Sequence, residues 1–476
     1  MEAMQGWRRR MLLPTLVLLG VVSTAVGSLG APLLPTIATE MDVSVTSSQW
    51  ALTISLLTGA IAAPVLGRLG DGRHRREVII GVLVLVAVGC GLSALPLGFG
   101  WLLVGRALQG VGLGLVPLAI AAGRDALPVH RQQSGLALIG VTTAVGLGIG
   151  YPVAGVITEY AGMDAAFWFG ALLTLLSALF AAWALPANPD RPARRLDVAG
   201  AVLLGAAMTA LLLVCAEGAV WGWTSVALLG TLCGAVVSGA VWVWWELRCH
   251  APLVDLRLLT NRSVLAADVM VVLVGIGIYP LLSLVVRYVE TPDSAGYGLG
   301  YSVAVAGLML VPYSIGSFVA SRAAVRVMRR TSLEVLVAVS CAILIAAMVV
   351  FLCARSSLAG IVITMALAGI GIGVIFAVNP VQISRGVPAD ETGSANSFYQ
   401  VLRYVGYSVG SALSATLLVV NTAGGSGTPS DDGYSAAAWM GIGVLIIATV
   451  VGLILSRPRW PVPEVPIAPI GIGAPK

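Results

Sequence analysis

Two arginines, Arg106 and Arg403, lie inside long apolar stretches of this chain, whereas nearly all its other cations sit in the segments between such stretches. A guanidinium at that depth is costly, and where one occurs it commonly faces protein or a water-filled cavity and serves a function. Around Arg403 the residues Asn396, Tyr399, Gln400 and Tyr407 share with it the spacing i, i+3, i+4, i+7 and i+11, which is one face of a helix. A stripe of amide, phenol and guanidinium groups on one face suits reversible binding of a ligand in a wet cavity. Arg106 and Gln109 form a second polar pair one turn apart. Arg106 falls about 7 Å from the outer end of its segment, so snorkelling competes with cavity lining, and cavity lining is the preferred reading. Tyr313 with Ser314 and Ser317 would extend the same cavity. The most deeply embedded carboxyl is Asp268, a group able to take up a proton from one side and release it to the other, although an ordinary interfacial aspartate near Arg262 fits it as well. Asp125, beside Arg124, is the second candidate for proton coupling.

Covalent and metal chemistry find little footing. His74, His130 and His250 lie in connecting segments far apart, and the six cysteines form no C-x-x-C pair. The G-x-G-x-G strings sit within apolar segments, without the preceding strand or the lysine of a phosphate loop. No enzyme, cofactor or metal site is expected.

The elements that must position these residues are membrane helices. Hydrophobic residues make up 58% of the 476 residues, charged ones 10%, and mean hydropathy is +0.96, which leaves too little polar surface for a soluble globule. Fourteen apolar segments are each near the roughly 20 residues needed to cross the hydrocarbon, among them 12–37, 101–123, 301–324 and 396–420. Setting aside Arg106 and Arg403 within segments and Arg287 and Arg355 on one side, the remaining 27 − 4 = 23 cations share the opposite side if every segment crosses once. The positive-inside rule then puts both termini in the cytoplasm of a multi-pass inner (plasma) membrane protein. The net charge of +5 is strung through separate loops and indicates topology, with no nucleic-acid partner.

An internal repeat organises the helices. Ala107-Leu-Gln-Gly-Val-Gly-Leu-Gly114 returns as Ala366-Leu-Ala-Gly-Ile-Gly-Ile-Gly373, at an offset of 366 − 107 = 259. Gly150-Tyr-Pro-Val153 returns as Gly406-Tyr-Ser-Val409 at 406 − 150 = 256, and Arg68 matches Arg326 at 326 − 68 = 258. Similar offsets in sequence order imply two six-helix bundles, residues 1–195 and 263–456, with an inserted helix pair and loop at 196–262 and a Pro-rich tail at 457–476. Two such halves with a substrate site between them are one plan of a secondary transporter.

The loop after the second helix, Gly67-Arg-Leu-Gly-Asp71-Gly-Arg-His-Arg75-Arg76, resembles the signature G-x-L-x-D-R-x-G-R-R of the major facilitator superfamily, with Gly72 and His74 as departures. The resemblance implies that this loop latches the two halves, Asp71 engaging the start of the thirteenth helix. Arg106-Ala-Leu-Gln109-Gly110 is similar to the family's R-x-x-Q-G element, and Gly146, Gly148, Gly150, Pro152 and Gly155 are similar to the antiporter signature of its exporters, with Tyr151 at the signature proline. The helix count and the inserted pair resemble the fourteen-helix drug:proton antiporter branch, while Val26 stands where those exporters usually carry a first-helix acid.

The expected fold is therefore an all-α polytopic membrane protein of the major-facilitator type. The expected function is export of small hydrophobic or cationic compounds by alternating access with proton antiport. Its partners would be a small-molecule substrate, protons and the lipid bilayer, the chain acting as a monomer. Alternatives are an exporter or facilitator of one metabolite or lipid, and a non-transporting sensor or scaffold.

Overall fold

The computed structural model describes residues 6–29, 33–43, 45–186, 196–292, 296–328, 330–422 and 429–456. The Pro-rich tail and the loop at 187–195, with its three arginines, lie outside the described residues. In chain order the α-helices are α1 Gly6–Ser28, α2 Leu34–Glu40, α3 Val45–Ser48, α4 Trp50–Gly70, α5 Arg75–Ala94, α6 Phe99–Val111, α7 Leu115–Ala126, α8 Val129–Ala161 and α9 Met163–Ala184. They continue as α10 Val198–Trp221, α11 Val226–Arg248, α12 Arg262–Glu290, α13 Val303–Leu308, α14 Leu310–Val327, α15 Leu333–Ala354, α16 Leu358–Gly386, α17 Thr392–Val420 and α18 Asp431–Ser456.

Three expected spans are interrupted. The segment at 12–37 divides into α1, which ends at Ser28, and α2, which begins at Leu34; the sequence between them holds Gly30 and Pro32, both poor helix residues. The segment at 101–123 passes through a 3₁₀ turn at Gly112–Gly114 between α6 and α7, and the one at 301–324 divides at Met309. Thirteen stretches among the described residues are long and apolar enough to cross a membrane; α17 is 29 residues long but its polar stripe keeps it off that count.

Each bundle has its own apolar core. Residues of α1, α5, α7, α8 and α9 supply Leu16, Ile79, Leu118, Ile139 and Ala181 to one, and α12, α14, α15, α16 and α18 supply Leu281, Tyr313, Leu344, Met365 and Leu445 to the other. The seam between them is formed by α8 against α14 and α16, and by α4 against α17. Under the repeat, α4 corresponds to α14 and α8 to α17, so the α8–α14 and α4–α17 contacts exchange with one another. That exchange is the signature of a pseudo-twofold relation.

The repeated glycines explain themselves by packing. A Cβ on Gly110 would collide with the Ser55 carbonyl oxygen of α4, and one on its repeat partner Gly369 would collide with the Tyr313 carbonyl of α14. The helix pairs α4/α6 and α14/α16 thus approach backbone to backbone at equivalent points, which only small residues permit.

The inserted pair, α10 and α11, packs on itself and lies across the seam: α10 touches both α4 and α17. Trp242 of α11 meets Phe398 of α17 with ring centroids 6.0 Å apart, beside Leu204, Leu253 and Val254. Asp197 caps α10 through the Gly200 N–H at 2.9 Å and accepts from the Trp245 indole at 2.8 Å, which ties the pair together.

Candidate functional site

The loop Gly67–Arg76 closes one end of the molecule, the end that carries the arginine-rich segments. Helix α17 begins at Thr392, and its N-cap residue Glu391 makes no side-chain cap bond to it because that carboxylate pairs with Arg68 at 2.9 Å. The first-turn N–H groups of α17 therefore need another acceptor. Asp71 provides it from the other bundle, accepting from Gly393 N and Ser394 N, each at 2.8 Å, and from the Ser394 hydroxyl at 2.7 Å. An anion on a helix N-terminus is favoured by both the free donors and the macrodipole. A Cβ on Gly67 would strike Ser397, so the glycine is what lets α4 come this close. Arg75 reaches the Gly70 carbonyl and pairs with Asp125 at 2.5 Å, and Arg76 donates to the Ala182 carbonyl. Arg124 donates across the seam to Val387 O at 3.0 Å, Pro388 O at 3.1 Å and the Thr392 hydroxyl.

Burial pushes the Asp71 carboxyl up from 3.8 to about 6, against the lowering pull of its bonds to Ser394 and Gly393 and of Arg75. Were this contact parted and solvated, the same group would titrate in the usual carboxylate range. The closed form thus binds a proton between those two values that the open form has released, so acidification from pH 7 to 5 favours closure and the desolvation cost is fully present above about 6. Spin labels across this end, at residues 73 and 390, should report severalfold more of the short distance at pH 5 than at pH 7. In Asp71→Asn that pH response should vanish; its persistence would assign the effect elsewhere.

Above the latch, α17 carries its stripe. Asn396, Tyr399, Gln400 and Arg403 line one small cavity of about 10 Å³, room for about one water, closed opposite by Gly140, Phe376 and Pro380. Arg403 is 2% exposed, and its guanidinium lies 4.9 Å from the Phe376 ring centroid, 5.6 Å from Tyr404 and 6.0 Å from Tyr407. Tyr407 stacks on Tyr279 of α12 at 4.5 Å. Four polar atoms around this void have no hydrogen-bond partner: Asn396 Oδ1, both terminal atoms of Gln400, and Arg403 Nε. Buried polar groups are rarely left so. Tyr313 lies behind the cavity in the apolar core of the second bundle, and Ser314 donates across the seam to Ala144 O at 2.7 Å.

Asp268 is 3% exposed, on α12, with its Oδ1 unpartnered. It stands 268 − 262 = 6 residues into the helix, roughly 9 Å from its start. The adjacent Ala267 carbonyl accepts from Asn379 Nδ2 at 3.5 Å, and the same amide donates to the Tyr399 hydroxyl at 3.3 Å. A short polar chain thus joins the neighbourhood of Asp268 to the cavity wall.

Besides Tyr313, in the second bundle's core, and Tyr407, stacked on Tyr279 off the cavity wall, three expected site residues stand elsewhere. Arg106 and Gln109, expected in the substrate cavity, are sealed inside the first bundle at 0% exposure. Arg106 donates to Ala51 O at 3.0 Å, Gly27 O at 2.9 Å, Val26 O at 3.4 Å and Gln109 Oε1; Gln109 in turn donates to Ser93 at 3.0 Å and Gly89 O at 3.2 Å. The end of α1 at Ser28 leaves the Gly27 carbonyl for a guanidinium to cap, and Arg106 shares the Val26 carbonyl with the Leu29 N–H. Asp125, expected as a proton-coupling group, is an ion-pair partner of Arg75 at the basic end. Of the antiporter-like residues on α8, Gly146 packs on Val21 and Thr24 of α1, Gly150 is buried, Pro152 lies within the unbroken helix, and Gly155 faces open space. Sequence reasoning missed Glu391, Asn379 and Tyr279. For Glu391 the signal was an acid immediately before the polar helix.

These features agree with what the chain is similar to. Residues 16–411 match the family model described as the Major Facilitator Superfamily. An uncharacterised MFS-type transporter of Mycobacterium tuberculosis is 31% identical over 316 residues, 66% of this chain but only 45% of that relative's own length. The multidrug resistance protein Stp of the same species is 26% identical over 81% of this chain and 71% of its own, and the putative multidrug resistance protein MdtD of Yersinia enterocolitica is 27% identical over 62% of each. The crystal structure of the human organic anion transporter MFSD10 superposes with a TM-score of 0.66 over 93% of this chain and 99% of its own at 17% identity, a likeness of fold. With two helix bundles joined across a seam, thirteen membrane-length apolar stretches among the described residues and a family match across residues 16–411, this chain is an all-helical multi-pass membrane protein and belongs to the Major Facilitator Superfamily.

Proposed function

We propose that the protein is a secondary exporter of small hydrophobic, drug-like compounds, working by alternating access and driven by proton return, in an inner membrane with the basic end toward the cytoplasm. The observation that carries this reading is the pairing of a latched basic end with a cavity at the seam whose polar atoms are unpartnered. With Asp71 capping α17 and Arg68 joined to Glu391, entry from the basic side is shut. Opening requires those contacts to break together, which makes two discrete states. The cavity's apolar walls suit hydrophobic ligands, and its small volume in this state means that a substrate enters only when the halves part.

Asp268 is the proton carrier in this scheme. It is a buried carboxyl with one oxygen lacking a partner, next in the chain to Ala267, whose carbonyl accepts from the Asn379 amide that also donates to Tyr399 of the cavity wall. Resemblance to relatives named for multidrug resistance supports the drug-efflux reading. Everted membrane vesicles holding a pH dye in an acidified lumen test it: adding a panel of small hydrophobic drugs should alkalinise the lumen only where the protein is present. No signal with any member, in vesicles that accumulate the same drugs passively, would reduce the reading to facilitated diffusion or to one dedicated substrate.

A further inference from the structure

We infer that the seam cavity selects substrates bearing an aromatic ring and a carboxylate, with Arg403 as the group that binds the anion; this refines, and rests on, the export reading above. Among the described residues no carboxylate stands within ion-pair distance of Arg403, and none lines the cavity. The other buried arginines of the basic end and of the first bundle are spoken for: Arg68 by Glu391, Arg75 by Asp125, and Arg106 by three carbonyls and an amide. Arg403 alone of these lies in the cavity wall, with three aromatic rings near its guanidinium, a hydrogen bond to the neutral Tyr404 phenol and its Nε without an acceptor.

A guanidinium flanked by an amide recognises a planar anion. Arg403 and the Gln400 amide sit 403 − 400 = 3 residues apart on one face, so both can donate to the two oxygens of a single carboxylate, the geometry for which arginine is suited. Gln400 Oε1 and Asn396 Oδ1 remain as acceptors for a hydroxyl or N–H on the same ligand. Phe376 and Tyr399 of the cavity wall offer aromatic surface against which a substrate ring can rest beside the cation. For a permanently cationic substrate the same wall presents a like charge in a water-poor site, which is a repulsive element against it.

Two xanthene dyes test this, because they share a ring system and differ in charge: fluorescein carries a free carboxylate and is anionic, and rhodamine 6G carries an ester and is cationic. Fluorescence anisotropy of each dye is titrated with the purified full-length protein in lipid nanodiscs, with no proton gradient present. Wild type should bind fluorescein several-fold more tightly than rhodamine 6G. Arg403→Gln should weaken fluorescein binding roughly tenfold to a hundredfold and leave rhodamine 6G within about twofold. Arg403→Lys should fall between, since it keeps the charge and loses the fork. If Arg403→Gln does not fold, Arg403→Lys and Gln400→Leu provide the same comparison, each expected to lose fluorescein selectively. Preference of the wild type for rhodamine 6G, or unaltered fluorescein affinity in Arg403→Lys and Gln400→Leu alike, overturns the inference. A protein that binds fluorescein through Arg403 yet gives no lumenal pH signal keeps this inference and loses antiport. One that exports rhodamine 6G against protons and ignores fluorescein does the reverse.

Discussion

Asp268→Asn is expected to remove essentially all substrate-driven alkalinisation of everted vesicles while changing substrate affinity by no more than about threefold. The substitution preserves volume and hydrogen-bonding capacity at a position where one carboxyl oxygen already lacks a partner, so folding should tolerate it. What it removes is the ability to exchange a proton. Substrate should still move down its own gradient, since the latch and the cavity wall are untouched. The diagnostic result is therefore a split: downhill movement of substrate retained, uphill movement and proton signal lost. A coupled signal equal to wild type in Asp268→Asn excludes this carboxyl from the transport cycle and leaves Asp71 and Glu246, the other buried acids among the described residues, as the next groups to test.

Arg106→Leu should be among the most destabilising single changes in the chain. It takes the guanidinium from the Ala51, Gly27 and Val26 carbonyls and the Gln109 side chain, leaving the Gly27 carbonyl and the buried Gln109 Oε1 without their donor. At about 1–3 kcal/mol for each buried group left unpaired, two such losses already approach a large part of a typical stability margin. The melting temperature of the purified protein should fall by more than about 5 °C, and membrane yield should fall with it. Arg106→Lys should recover part of the loss, since an ammonium reaches some of these acceptors without spanning all of them. The outcome that contradicts this placement is specific: normal melting with weakened substrate binding would mean that Arg106 faces the cavity after all.

Arg106 also shows where sequence reasoning stops. Its depth and cost were plain from composition, but its direction depended on where α1 ends, and α1 ends at Ser28, just before Gly30 and Pro32, seventy residues and more away along the chain. The stripe on α17 was legible because a periodicity of 3.6 survives in sequence; that its guanidinium rests against Phe376 of α16 was not, since nothing local encodes which helix faces it. The membrane helices themselves were legible almost throughout because lipid forces every backbone group to be satisfied within its own segment. Ion pairs follow no such local rule. Arg68 and Glu391 are 323 positions apart, and only the exchange of the two halves about the seam brings them together.

The inserted pair has a mechanical consequence. Because α10 leans on α4 from one half and on α17 from the other, parting those two helices must peel it from one of its hosts, unless it slides along both. In the proposed alternating-access cycle, the aromatic clasp between Trp242 and Phe398 would bias that choice toward the second half, with α10 and α11 travelling with α17 and the shear plane along the flank of α4.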